Sequence, residues 1–386
     1  MDRLKEVQQL LEKEGLDGWL LYDFRGQNPL ALSVLGIVHT LLTRRWFVWV
    51  PTVGKPQALV HVIEKDNLPW TYPKRVYASR ESLVEELSGL LGGARRVAME
   101  YSPLGDNPYL SRVDAGTVDL LRSLGVEVVS SGNLLQLFAA WSSEQMAAHR
   151  EAARQLGQVK DLVFAYIAEV LAKGKKVREF EIQEYVQALF REHGLETEHG
   201  PTVAFGPSSS LPHYRPRPKA DRVLSQGEVI LLDMWAKLPG PNPYADITWV
   251  AFWGRPSEEV VRAFTAVLEA RDRCVDFLAE GLAEGREIRG WEVDAVARRV
   301  LEGYGFGSYI QHRTGHSLGV AQVHGDAVHF DGYETRDDRR VIPNLGYTVE
   351  PGVYLGDFGV RTEIDVLVHP ASVEITSPVQ RQIDAL

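Results

Sequence analysis

The sequence predicts an α+β protein of two domains: an N-terminal α/β domain with a mixed sheet, then a domain organised around two β-hairpins. Three observations carry this. At 386 residues the chain is long for one core, so two domains is the natural expectation. Residues 1–130 alternate helix and strand patterns, as α/β domains do. Further on, two strand–turn–strand patterns carry one carboxylate on each arm, and in both the two carboxylates are 13 positions apart.

In order along the chain, Leu4, Val7, Leu10 and Leu11 form a helical stripe that Gly15 ends. Gly18–Tyr22 reads as a buried strand, and Arg45–Pro51 and Pro56–Val62 as two strands around the turn at Gly54. Ser82–Leu91 suits a helix, Arg96–Glu100 a strand, Val118–Leu124 a helix and Val126–Val129 a strand. His39 and His61 have no ligand neighbour at metal spacing, which assigns them structural roles. Leu134–Trp141 is the candidate boundary. Ser142-Ser143-Glu144 is a helix N-cap signal, opening a long helix over Glu144–Leu171. Lys173–Lys176 breaks it, and a second helix covers about Arg178–His193; the charges of both read as solvated faces. Thr202–Leu211, with Gly206, Pro207 and three serines, reads as a loop. His213 follows it, and its place just before the first hairpin points to a pocket-lining role. Helix patterns return at Ser257–Glu280 and Trp291–Tyr304.

The first hairpin joins Val229–Leu232, with Asp233 at its end, to Tyr244–Phe252, which carries Asp246. Pro239, Gly240, Pro241 and Pro243 make its turn. The second joins Tyr347–Leu355, carrying Glu350, to Gly359–Val368, carrying Glu363. A carboxylate in an apolar strand is costly unless it is paired or binds a metal. Two that face each other repel unless a cation lies between them. One such hairpin reads as an ordinary surface feature; the matched pair reads as four carboxylates donated to one metal centre.

Between the hairpins, Gln311–Asp331 crowds His312, His316, His324 and His329 together. His316 follows Gly315 and precedes an apolar run, which suits a buried imidazole ligand, with His312 and His324 flanking it. Strand alternation places Arg361, Glu363 and Asp365 on one face, and Thr248 beside Asp246, where its hydroxyl is expected to bond that carboxylate.

A net charge of −10 argues against non-specific nucleic-acid binding. The one cysteine, Cys274, precludes an intramolecular disulfide and reads as a packed core thiol. The opening MDRLKEVQQLLEKEG is a charged amphipathic helix pattern, neither a signal peptide nor a membrane span, so the cytoplasm is the expected compartment.

These residues resemble the pita-bread metalloenzymes, among them methionine aminopeptidase, Xaa-Pro aminopeptidase, Xaa-Pro dipeptidase and the metal-free creatinase. The resemblance covers nearly the whole chain. Residues 1–135 resemble the creatinase-type N-terminal domain, including its opening helix and the run Gly15–Trp19, and residues 140–386 the pita-bread catalytic domain. The resemblance implies metal ligands at Asp233, Asp246, His316, Glu350 and Glu363, and substrate-side roles for His213, His312, His324 and Arg361. All five ligand positions are kept, which speaks against the creatinase-like and chaperone-like relatives that have lost them.

Two divalent ions, roughly 3.5–4 Å apart, would share a bridging water whose pKa metal binding can lower from about 15.7 to about 7. The oxygen-rich donor set favours Mn²⁺, with Co²⁺, Fe²⁺ and Zn²⁺ as alternatives. By resemblance Asp246 and Glu363 bridge both ions, Asp233 completes one, and His316 with Glu350 the other. Glu350 is then the proton shuttle, His324 and His312 stabilise the tetrahedral intermediate or bind the scissile carbonyl, and Arg361 fixes the carboxylates. The implied reaction is hydrolysis of the N-terminal amide bond of a short peptide, of Xaa-Pro type, by a metal-bridging hydroxide in a homodimer that engages neither nucleic acid nor membrane.

Three places depart from the usual family pattern. His324 is followed by Gly325-Asp326 rather than Glu; Trp249 follows Asp-Ile-Thr in place of Arg; and Met234-Trp235-Ala236 replaces a residue followed by Gly-Ala. Bulky residues there are expected to reshape the pocket. They keep open two alternatives: a metal-dependent hydrolase or lyase of a non-peptide small molecule, and a non-catalytic binding protein.

Overall fold

The computed structural model describes residues 3–38, 41–68 and 72–386. His39 lies outside the described residues. The chain divides into two compact units, Met1–Phe138 and Ala139–Leu386.

In the first unit the elements run α1 (Arg3–Lys13), β1 (Gly18–Asp23), α2 (Pro29–Val34), β2 (Trp46–Pro51), β3 (Gln57–His61), β4 (Lys74–Tyr77), α3 (Arg80–Leu91), β5 (Arg96–Met99), α4 (Ala115–Ser123), β6 (Glu127–Ser130) and α5 (Gly132–Gln136). The six strands form one sheet in the order β4-β3-β2-β1-β5-β6. It is mixed: β1, β2 and β3 pair antiparallel, while β5 runs parallel to β1 and β6, and β4 parallel to β3. Alternation along β1 and β2 feeds two cores. Trp19, Leu21, Trp46 and Val48 enter one, and Leu20, Tyr22, Phe47 and Trp49 the other. A sheet covered on both faces needs continuous apolar strands, which is why Gly18–Tyr22 lacks an alternating pattern. A Cβ at Gly18 would lie 2.3 Å from the Trp49 ring, so only glycine lets β1 and β2 approach there. The buried carboxylate of Glu100 accepts from Trp19 Nε1 (2.7 Å), Asn28 Nδ2 (2.7 Å) and Ser131 Oγ (3.0 Å). His61 has a structural place: its Nδ1 accepts from Ile63 N and its ring meets Tyr77 edge-on.

The second unit opens with α6 (Ser143–Ala172), whose N-terminus Ser142 caps by accepting from Gln145 N while the Gln145 side chain returns a bond to Ser142 N. Then come α7 (Glu179–Glu192), β7 (Thr202–Phe205), β8 (Val229–Ala236), β9 (Ala245–Phe252), α8 (Glu258–Ala283) and α9 (Gly290–Gly303). The chain closes with β10 (Leu345–Val349), β11 (Gly352–Tyr354), β12 (Gly359–Arg361), β13 (Ile364–His369), β14 (Ser372–Ile375) and β15 (Asp384–Ala385). The sheets are β15-β9-β8-β7, β10-β13-β14 and the pair β11-β12. Thr202–Leu211, expected as a loop, begins with strand β7. Four residues are too few to show a period, and the strand forms because β8 offers it an antiparallel edge.

Alternation in the first hairpin positions the site. Ile230, Leu232, Met234, Ala245, Ile247, Trp249 and Ala251 pack with Leu156, Val163, Ile182 and Val186 of α6 and α7. Asp233, Trp235, Asp246 and Thr248 therefore project from the opposite face. In register, Asp233 lies across from Thr248, and Asp246 from Trp235.

The second hairpin is not continuous. Its arms break at Glu350-Pro351 and Thr362-Glu363, so β10 and β13 pair in one sheet and β11 and β12 in another. Pro351 has no N–H to continue the ladder. At the breaks Glu350 N donates to Thr314 O (2.7 Å) and Glu363 N to Thr248 O (3.2 Å). Both carboxylates of this hairpin sit where the chain changes sheet. Among the described residues no helix is long and apolar enough to cross a membrane. Cys274 is buried in the core of α8, with burial pushing its thiol up.

Candidate metal centre

All the expected site residues line one cavity of about 270 Å³: Asp233, Asp246, His316, Glu350, Glu363, His213, His312, His324 and Arg361. Its lining draws on the carboxylate-bearing face of the first hairpin and the two breaks of the second.

His316 is built as a ligand. Its Nδ1 faces the Ser317 carbonyl at 2.9 Å, an acceptor only, so Nδ1 carries the hydrogen and Nε2 a lone pair. That Nε2 lies 3.7 Å from Asp246 Oδ2 and 3.5 Å from Glu350 Oε1. Burial holds the imidazole well below its ordinary pKa, with His324 and Arg313 adding to the effect, so it is neutral. Ligand atoms of Asp246, His316 and Glu363 all lie within 4.8 Å of one another.

The carboxylates crowd. Burial raises Asp246 well above the usual range, and Glu363, Asp233 and Glu350 push it further. Glu363 is driven up by burial, then by Glu350 and Asp233. Burial takes Glu350 up to about 7 against the pull of Arg361, and raises Asp233 despite the same arginine. Among the described residues, Asp246 Oδ1 is buried with no hydrogen-bond partner. A neutral imidazole beside acids that disfavour each other's ionised form, one with an orphan oxygen, is a donor set made for hard divalent cations. The residues fit the divalent metal that the resemblance implies.

The surroundings orient the ligands. Arg361 donates through Nη2 to Asp233 Oδ2, through Nε to Thr248 Oγ1 (3.0 Å) and through Nη1 to Tyr354 Oη (2.8 Å). The Thr248 hydroxyl donates to Glu363 Oε2 at 2.7 Å, not to Asp246, because Glu363 enters from the break in the second hairpin directly over it. Thr348 Oγ1 donates to Glu350 Oε1 (3.1 Å) and accepts from His316 N (3.0 Å). Asp365 does not share the cavity with Arg361 and Glu363. The break at Thr362-Glu363 resets the alternation, and its carboxylate accepts instead from Asp246 N at 3.0 Å.

The auxiliary histidines differ among themselves. His312 Nδ1 donates to Arg313 O (2.6 Å), so its Nε2 accepts from Tyr354 O–H (2.6 Å). Asp233, Arg361, Tyr354 and His312 thus form one hydrogen-bonded chain. Arg313 Nη2 donates to His324 Nδ1 (3.1 Å), which leaves Nε2–H as the hydrogen-bearing nitrogen of a neutral His324, its ring 4.1 Å from that of His316. His213 is exposed on the cavity wall. His329 is buried behind His316, where its Nδ1 accepts from Ser317 N. Tyr354, Thr348 and Arg313 carry no sequence signal of their own, since each is defined by a distant partner.

Of the three departures, only Trp235 enters the cavity. Trp249 sits on the helix side of the hairpin, its ring 3.9 Å below Lys160 Nζ and its Nε1 bonded to Asp384. Strand parity accounts for this: Trp249 is three residues from Asp246 and so on the other face. Gly325 serves a close approach, its N donating to Ser317 O (2.7 Å) where a Cβ would meet Ser317 Oγ at 2.9 Å. Neither residue lines the cavity.

The model of metallopeptidase family M24 matches residues 147–370, and the chain belongs to that family. It is 27% identical to the Xaa-Pro dipeptidase of Pyrococcus horikoshii over 95% of this chain and 94% of that protein. In structure it is similar to the dipeptidase PepE of Mycobacterium ulcerans, with a TM-score of 0.67 at 21% identity, covering 99% of this chain and 96% of the other. It is also similar to the X-prolyl aminopeptidase of Caenorhabditis elegans, described as a cytosolic enzyme with a di-nuclear active site. There the TM-score is 0.62 at 16% identity, over 98% of this chain and 62% of that one. The fold is that of the prolidase-like pita-bread proteins.

Proposed function

We propose that this metallopeptidase uses two divalent cations to hydrolyse the N-terminal amide bond of short Xaa-Pro peptides, dipeptides first among them. One observation carries the reading: a neutral imidazole and four mutually repelling carboxylates converge, with Asp246 Oδ1 unpartnered among the described residues. Asp246 and Glu363 would hold both ions, Asp233 one, and His316 with Glu350 the other. Bound there, the ions supply an activated water at neutral pH and polarise the scissile carbonyl.

The chain's own groups do the rest. Glu350, steadied by Thr348, is placed to take the proton of the attacking water and pass it to the leaving nitrogen. His324, its Nδ1 occupied by Arg313, offers Nε2–H to the oxyanion that develops. Arg361 fixes Asp233, and Tyr354 fixes His312. A cavity of about 270 Å³ is slightly below the roughly 300–1,000 Å³ of drug-sized sites, which supports a dipeptide-sized substrate. The wider reading has Mn²⁺ as the native metal and a homodimer in the cytoplasm that binds neither nucleic acid nor membrane. The net charge of −10 speaks against non-specific nucleic-acid binding, and the worm relative described as cytosolic supports the compartment.

Metal content measured alongside turnover of a Xaa-Pro panel tests this. A chelator should abolish activity and Mn²⁺ or Co²⁺ restore it; full activity in verified metal-free protein ends the reading. Trp235 in the cavity wall favours a second reading, a small-amide substrate, and adding small amides to the panel decides between them.

A further inference from the structure

Most residues that line the cavity are polar or charged by type. Among the described lining residues, apolar side chains come from Trp235, Val323 and Pro212 alone. Trp235 stands on β8 two residues after Asp233 and directly across the hairpin from Asp246. Its indole is therefore carried on the same face as the metal-ligand carboxylates and beside them. Trp235 and Val323 are both half-buried and both pack against the apolar core that holds Tyr244 and Val250. One side of this wall rests on packed core and the other faces the cavity, so the wall is rigid.

From this placement we infer that Trp235 is a specificity-determining residue. With Val323 it forms the apolar face against which one of the two substrate residues flanking the scissile bond lies, and the indole's bulk restricts that residue to a small side chain or a flat ring. The physics is that of an apolar pocket. A ring laid on an indole face gains buried area and good stacking geometry, whereas a longer side chain must displace a wall that the core backs. In such pockets one methylene is worth roughly 10- to 200-fold in kcat/KM. The inference rests on the proposed peptidase reading.

The experiment uses the Mn²⁺-loaded enzyme and dipeptides varied on each side of the bond, from Ala-Pro to Met-Pro and from Ala-Pro to Ala-Met, so that a long flexible side chain replaces a small one or a ring. Wild type should favour the small or ring-bearing residue at one of the two positions. Trp235→Ala should relax that preference by roughly tenfold or more, through KM rather than kcat, and leave the other position's preference alone. Trp235→Phe, which keeps an aromatic wall, should retain most of the discrimination and controls for misfolding of the smaller variant. Calorimetry of the same dipeptides in a Glu350→Gln background should show the same shift in Kd. Wild-type turnover with a size preference unmoved by Trp235→Ala at both positions would overturn this inference alone. No turnover of any dipeptide by wild type would overturn the reading beneath it as well.

Discussion

Asp233 and Arg361, 128 positions apart in the chain, are joined side chain to side chain inside the cavity. Both are buried, and the arginine reaches Thr248 and Tyr354 with its remaining nitrogens. Removing one partner of such a pair strands the other's charge. Arg361→Ala should cost about 3–5 kcal/mol of stability in the metal-free protein. Arg361→Lys keeps the charge but cannot span three partners, and should fall between the two. Urea unfolding at pH 7 reads both, and a loss below about 1 kcal/mol for the alanine variant would show that the pair is not a structural one.

Tyr354 links this arginine to His312. Its hydroxyl accepts from Arg361 and donates to His312 Nε2. Tyr354→Phe should cost about 1 kcal/mol of stability, an ordinary hydrogen bond's worth, and about tenfold in kcat with little change in KM. Because the groups act in series, Tyr354→Phe and His312→Ala should be strongly non-additive in a double-mutant cycle. Additive losses would mean that the tyrosine does not act through the histidine.

Metal binding should expel protons. Without cations, burial and mutual repulsion raise Asp246 and Glu363 well above the carboxylate range and Glu350 to about 7. These acids therefore hold protons near neutral pH that a cation must displace. The sign for stability follows. A carboxylate whose folded pKa is raised costs the fold increasingly as pH rises from about 4.5 toward 7. Metal-free protein should lose stability over that window, and the stabilisation by Mn²⁺ should grow across it. Titrating Mn²⁺ in buffers of different ionisation enthalpy at pH 7 should return roughly one proton or more per site. A buffer-independent heat would contradict the crowding of acids described above.

Strand alternation accounts for the shared face of Asp233 and Asp246 once the register is set, since Asp233 lies across from Thr248 and Asp246 from Trp235. The same parity put Trp249 on the wrong side to touch the site, a signal present in the sequence and outweighed there by the family pattern. The second hairpin was legible as a pair of arms but not in its break. Pro351 marks one side of it, while the reset at Thr362-Glu363 depends on Thr248 accepting from Glu363 N, a partner 115 positions away. Thr348, Tyr354 and Arg313 were illegible for the same reason: a hydroxyl or guanidinium acquires its role from what the fold brings to it. Strands as short as β4 and β7 lack the length for a pattern and exist because a neighbouring edge accepts them.

His149 is the sharpest case of a buried polar group hidden in a helix that looks solvated. On α6, its Nδ1–H donates to Tyr244 O (2.8 Å), its Nε2 accepts from Thr376 Oγ1 (2.7 Å), and its ring leans on Trp141. Burial pushes the imidazole down to about 4, with Arg150 adding and Glu374 opposing. The native state thus holds the neutral ring, while the unfolded chain protonates it near 6.5. Its contribution is complete above pH 6.5 and drains away as pH falls toward 4, by about 3 kcal/mol in all at about 1.4 kcal/mol per unit. Glu374, held down to about 2 by Arg150, loses its own contribution across a lower window, from about 4.5 to 2. His149→Gln keeps a donor and an acceptor but cannot titrate. Although less stable than wild type at pH 7, it should show a flatter fall in unfolding free energy between pH 6.5 and 4.5. Parallel curves for the two proteins would mean that this imidazole does not limit acid stability.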